Sequence, residues 1–318
     1  MGDGQAAGDN SVSWRWAADW AKKRPAVLRM ADRLGRGRGR FRMLDHVSRP
    51  RPAALSPDLS GWSGHALAAV WVGHATILLR IAGLTILTDP VFSHRVGVDL
   101  GLFTGGPRRL VAPALSMMQL PPIDVVLISH AHFDHLDRPT LARLDKRAAV
   151  ITAHRTADLV RDLGFASVTE LSWGEKTTIG SCTITAQQVE HWGARTFFDT
   201  YRGFNAYLLE GSGQRVLYGG DSAFYDGFRS IGESGGVDLA ALGIGAYDPY
   251  LRAHANPEQA WAMGEMAGAR HVLPMHHSTF RLSYEPDQEP MQRFLAAAGE
   301  HQHRVVIRNV GGMWVDSR

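Results

Sequence analysis

Ser129-His130-Ala131-His132-Phe133-Asp134-His135-Leu136-Asp137 is the stretch from which the rest of the chain is read. It follows Ile123-Asp124-Val125-Val126-Leu127-Ile128, an apolar, β-branched run of strand length set off by Pro121 and Pro122. Three imidazoles and a carboxylate therefore sit just past the carboxyl end of a predicted core strand. In extended backbone His130 and His132 point to one side and can reach one metal ion, while Asp134 and His135 diverge and can reach a second. Crowding these groups together without a cation would cost desolvation for no gain.

A chain of 318 residues can form one large layered domain or two ordinary ones, with an ample core and no need of staples. Cys182 is the only cysteine, which excludes an intrachain disulfide and predicts a small buried hydrophobe. With 45% hydrophobic and 20% charged residues the composition is that of an ordinary globular protein, and a net charge of +3 gives no case for nucleic acid. The charge is uneven, however. Lys22, Lys23, Arg24, Arg29, Arg33, Arg36, Arg38, Arg40, Arg42, Arg49 and Arg51 are opposed only by Asp32 and Asp45, and Trp14, Trp16 and Trp20 lie just upstream. Residues 14–51 thus form a basic, aromatic arm, read either as packing on the domain or as a peripheral contact with an anionic membrane. No apolar run has transmembrane length, and the first ten residues are acidic and glycine-rich, unlike a signal peptide. The expected location is cytoplasmic, with membrane contact confined to that arm. The expected division is an arm and linker over 1–64 and a catalytic domain over 65–318.

Short strands are predicted at 68–72, 77–81 and 84–88, with His74 and Asp89 at strand ends. The irregular stretch 94–122, carrying Arg108 and Arg109, is a candidate wall of an active cleft. Further strands are predicted at 149–152, 182–186, 206–210, 215–219, 237–242 and 271–275, and a closing strand at 304–307. Helices are predicted from 139, over 155–163, over 257–268 and over 288–298. His191, Asp221 and His276 recur at strand ends, so sheet edges converging on one rim can build a site that no contiguous motif contains. Seven placed groups exceed what one ion needs. The expected assignment gives His130, His132 and His191 to a first metal, Asp134, His135 and His276 to a second, and Asp221 as the bridge. Nitrogen and oxygen donors without thiolate suit zinc, with iron or manganese as the other choices.

His130-Ala131-His132-Phe133-Asp134-His135 resembles the His-x-His-x-Asp-His signature of the metallo-β-lactamase superfamily. Trp71-Val72-Gly73-His74-Ala75-Thr76, Leu87-Thr88-Asp89-Pro90, Gln188-Val189-Glu190-His191-Trp192, Gly219-Gly220-Asp221-Ser222, His254-Ala255-Asn256-Pro257 and Met275-His276-His277-Ser278-Thr279-Phe280 are similar to the branch that holds N-acylphosphatidylethanolamine-hydrolysing phospholipase D. The resemblance implies an α+β, four-layer αβ/βα sandwich, two zinc ions with a bridging hydroxide, and hydrolysis of a glycerophospholipid phosphodiester. It selects His276 over His277 as ligand and carries over a further active-site histidine at His254, expected to donate a proton to the leaving oxygen or to hold phosphate. Asp134 is expected to orient the nucleophile as well as to hold metal. Arg108, Arg109, Phe133 and Tyr247 are the candidate substrate contacts, and a homodimer is a candidate assembly. The competing readings are a lactonase acting on a sugar-phosphate lactone and a non-catalytic binding module on the same fold.

Overall fold

A computed structural model describes residues 49–101, 104–196 and 198–317, so the basic arm before Arg49 lies outside the described residues. Strand β1 (Leu67–Gly73) is apolar along its whole length because it is buried on both faces. Leu67, Ala69 and Trp71 enter one core cluster, while Ala68, Val70 and Val72 enter another on the opposite face.

β1 pairs antiparallel with β2 (Thr76–Ile81), and β2 with β3 (Leu84–Thr88). The long loop that follows carries only a two-residue hairpin of β4 (Val98–Asp99) and β5 (Thr104–Gly105). The first sheet then continues in parallel through β6 (Val125–Ile128), β7 (Ala149–Ala153) and β8 (Ser167–Leu171). The second sheet repeats this scheme. It runs antiparallel through β9 (Lys176–Ile179), β10 (Cys182–Gln187), β11 (Ala206–Gly211) and β12 (Gln214–Tyr218), then parallel through β13 (Val237–Gly243) and β14 (Ala269–Met275).

Trp71, Leu127 and Ile151 of the first sheet share a core cluster with Ile184, Leu209, Tyr218 and Leu273 of the second. Helix α1 (Arg138–Arg143) packs Leu141 with Val126, Ile128 and Val150. α2 (Arg229–Glu233), α3 (Pro257–Met266) and α4 (Glu289–Ala298) bring Ile231, Trp261, Met263 and Phe294 against Leu208, Leu217 and Val272. The result is the expected αβ/βα sandwich of four layers. Cys182 is fully buried within the central cluster.

Two expected elements differ. The segment 155–163 is not an α-helix but two 3-10 turns, Ala157–Leu159 and Arg161–Leu163, because Val160 leaves helical backbone at φ −130 and each turn closes i to i+3. The stretch 304–307 makes one parallel bridge, Val305 to Val272, and the strand that closes the first sheet is instead β15 (Met313–Val315), antiparallel to β1. Residues Pro50–Arg318 form one compact unit. The tract before β1 is tied into it: Arg51 pairs with Val111, Leu55 donates to the Val310 carbonyl, and Trp62 is buried with its indole N–H donated to Thr85.

Candidate metal centre

Each strand end supplies a ligand-type side chain to one rim. β6 delivers His130, His132, Asp134 and His135; β10, β12 and β14 are followed by His191, Asp221 and His276. Gly220 permits the approach of β12: it holds φ 55, and a Cβ there would lie 2.8 Å from the Asn205 carbonyl and 2.9 Å from the Ser129 Cβ. His130, His132, His191 and Asp221 place donor atoms within 4.8 Å of one another, as do Asp134, His135 and His276 together with His74. Asp221 lies between the two sets. Its Oδ2 is 3.1 Å from both His135 Nε2 and His276 Nε2, 3.7 Å from His191 Nε2 and 3.9 Å from His130 Nε2.

The outer nitrogens are held so that the inner ones converge. His191 Nδ1 donates to the Ala253 carbonyl at 2.9 Å, and His135 Nδ1 donates to Asp89 Oδ2 at 2.6 Å. His130 Nδ1 meets the Ser129 hydroxyl at 2.8 Å, and that hydroxyl donates to Asp89 Oδ2 at 2.5 Å. Asp89, fully buried, also accepts from the Ser129 amide and the Tyr218 hydroxyl. A carboxylate so placed fixes ring orientation and makes the inward nitrogen a better donor. From the sequence, Asp89 and His74 follow strand ends, and His74 reads as either serving the site or only bonding the backbone. That signal was present, but their partners were not legible.

The residues fit a divalent cation. His130 Nε2 and His132 Nδ1 face each other at 2.8 Å, and His135 Nε2 and His276 Nε2 at 3.1 Å, so pairs of lone-pair atoms converge on shared space. Asp221 Oδ1 and His276 Nδ1 are buried without a partner. Burial lowers the pKa of His132 to about 3 and of His191 to about 4, and holds His130 well below the ordinary range, with neighbouring imidazoles adding to the effect at His130 and His132. All three are thereby neutral and able to ligate. Burial also opposes charge on His135 and His276, yet Asp221 and Asp134 outweigh it, raising His276 to about 9 and His135 well above its usual value. Two buried carboxylates, Asp89 and Asp221, and the partly buried Asp134 converge here. Desolvation costs several kcal/mol per ion, which metal binding offsets.

His254 joins the rim with Nδ1 3.8 Å from Asp221 Oδ2 and its ring stacked 5.3 Å from that of His276. Burial holds it well below the ordinary imidazole range. His277 faces away from the cluster, its Nδ1 on the Ser278 hydroxyl and its ring 4.7 Å from Trp71.

Two of the expected substrate contacts are buried. Arg109 is 1% exposed, donates to the Val91 and Ser93 carbonyls and lies 4.6 Å over Phe280, because the long loop folds its guanidinium inward. Tyr247 is 5% exposed and its hydroxyl donates to Glu289 at the start of α4. Arg108 is half-buried and bridged to Arg95. Phe133 is half-buried beneath Arg195, whose guanidinium stands 3.9 Å from the ring and donates to the carbonyls of Ala131 and Leu136 at 2.8 Å.

A four-layer sandwich with paired donor sets at one rim defines a metal-dependent hydrolase of the metallo-β-lactamase fold. A family model described as the Beta-lactamase superfamily domain matches residues 85–277, and the chain belongs to that superfamily. An uncharacterised protein of Mycobacterium tuberculosis is 34% identical over 282 residues, covering 85% of this chain and 75% of the relative. N-acyl-phosphatidylethanolamine-hydrolyzing phospholipase D 1 of Caenorhabditis elegans is 32% identical over 238 residues, 69% of this chain and 65% of that protein. Among solved structures, isothiocyanate hydrolase from Delia radicum gut bacteria aligns with a TM-score of 0.64 at 18% identity, over 79% of this chain and 100% of the other. At that identity the likeness speaks to the fold alone.

Proposed function

We propose that this chain is a two-ion phosphodiesterase of phospholipase D type, acting on N-acylphosphatidylethanolamine or a related glycerophospholipid. His130, His132 and His191 would hold one ion, Asp134, His135 and His276 the other, and Asp221 would be shared between them. Nitrogen and oxygen donors favour zinc. The observation that carries the two-ion reading is the position of Asp221 Oδ2 between both imidazole sets. The substrate class rests on similarity to the C. elegans phospholipase, of whose length the chain spans 65%.

Bound ions would supply Lewis acidity, lowering the pKa of water and offsetting charge on the phosphoryl oxygens. The residues supply the rest. Asp134 accepts a hydrogen bond from a water and orients it towards phosphorus. His254, 12% exposed beside Asp221 and kept neutral by burial, accepts the proton that the attacking water gives up and passes it to the leaving alkoxide as the bond from phosphorus to that oxygen breaks. Arg108, half-buried on the long loop, is a candidate contact for the phosphate.

The test is zinc-loaded protein with N-acylphosphatidylethanolamine in mixed micelles, assayed in parallel with a sugar-phosphate lactone and a β-lactam. Release of N-acylethanolamine and phosphatidic acid is expected, and His254→Ala should lower kcat by about 10²- to 10⁴-fold with both ions retained. Turnover of the lactone or lactam alone would overturn the reading.

A further inference from the structure

His74 lies in the β1–β2 turn and belongs to none of the seven groups assigned to metal. It is 1% exposed and holds φ 56, a left-handed conformation uncommon for a residue with a Cβ. Such backbone is strained and persists only where its surroundings over-determine it. Three hydrogen bonds do so here. The His74 amide donates to Thr279 Oγ1 at 2.9 Å, and its carbonyl accepts from the Trp71 indole at 2.7 Å and the His276 amide at 3.1 Å.

The pinned backbone has one consequence for the side chain. Nε2 meets Asp134 Oδ2 at 2.9 Å, the ring lies 4.1 Å from that of His276, and Phe280 closes the far side edge-on at 5.1 Å. One residue of the first sheet thus touches Asp134 through its ring and His276 through its carbonyl. These two ligand-type residues lie on different sheets and belong to the same donor set.

We propose that His74 is a positioning residue for the second ion: its Nε2–H holds Asp134 Oδ2 and its carbonyl holds the His276 backbone, so that both groups meet one ion in fixed geometry. This role rests on the two-ion reading. Outer hydrogen bonds of this kind are worth on the order of 10- to 100-fold in metal affinity.

His74→Asn and His74→Gln separate the contributions. Asparagine tolerates left-handed backbone but is too short to reach Asp134, whereas glutamine can place an amide N–H near the Nε2 position. The readouts are stepwise Zn2+ affinity by chelator competition, the Co2+ absorption spectrum, and the melting temperature of metal-free protein. Expected for His74→Asn are first-ion affinity as wild type and second-ion affinity weaker by roughly 10- to 100-fold, with a changed Co2+ spectrum at the second step. His74→Gln should recover most of that loss. A merely structural role would move the melting temperature and leave the second step alone, which would overturn the proposal. If His74→Asn fails to fold, His74→Gln decides: a folded glutamine variant that loses the second ion makes the imidazole a ligand and overturns the positioning role. Wild-type protein that saturates at one ion would instead refute the two-ion reading, and this role with it. Two ions bound with unchanged affinities in His74→Asn would refute the role alone.

Discussion

Neighbouring histidines differ here in what their backbone allows. His276 sits at φ 62 with Nε2 turned to Asp221 and Asp134, while His277 points to Ser278 and Trp71. His276→Ala should therefore lose the second ion, and His277→Ala should keep both, as read by elemental analysis after gel filtration. Asp221→Asn should be worse than either, since it weakens the group shared by both donor sets, with a loss beyond the roughly 10- to 100-fold of a supporting residue. Intact stoichiometry in Asp221→Asn, or a lost ion in His277→Ala, would undo this assignment. The sequence showed which side chains carry lone pairs and that they follow strands. It did not show Asp89 accepting from Ser129, Tyr218 and His135, because the metal loop and β12, which supply those partners, are both far from Asp89 in sequence.

At the scale of elements, the loop after β6 is stapled by the loop after β10. Arg195 bonds the carbonyls at both ends of the metal loop, Ala131 and Leu136, and covers Phe133 between them. Arg195→Ala removes two charge-assisted bonds and leaves buried carbonyls without their donor, a cost of about 1.5–3 kcal/mol each at most. Urea unfolding of the metal-free protein should report a loss in that range. Arg195→Lys should recover only part, because an ammonium cannot stack flat on the ring. An alanine variant within about 0.5 kcal/mol of wild type would mean the staple does not hold. The same scale explains what was legible in the chain. Strands buried on both faces announce themselves as continuous apolar runs, so β1, β6 and β13 were readable. β15 was not, since its three residues are only partly buried, and 304–307 looked more strand-like than the segment that pairs. The burial of Arg109 and Tyr247 was not legible for a related reason: side-chain direction in long loops is set by distant packing on Val91, Phe280 and Glu289.

In the whole molecule, the centre joins two halves built alike, each an antiparallel meander continued by parallel strands. His130, His132, Asp134 and His135 extend from the first sheet, and His191, Asp221 and His276 from the second. An ion bound among them is a cross-link between sheets that exists only in the folded state. Linkage then stabilises the fold by about 2.7 kcal/mol at a free metal concentration 100 times Kd. For a domain of this size, 1 kcal/mol moves Tm by roughly 2–4 °C, so stripping one such ion should lower Tm by about 5–11 °C. Calorimetry before and after chelation should show that fall, and zinc restored to the dialysed protein should reverse it. The Asp221→Asn variant should show a much smaller drop, because it has less bound metal to lose. If elemental analysis confirms that the ions have left wild-type protein and Tm has not moved, the groups at the rim are satisfied without a cation, and the cross-link between the sheets is not part of what holds this fold together.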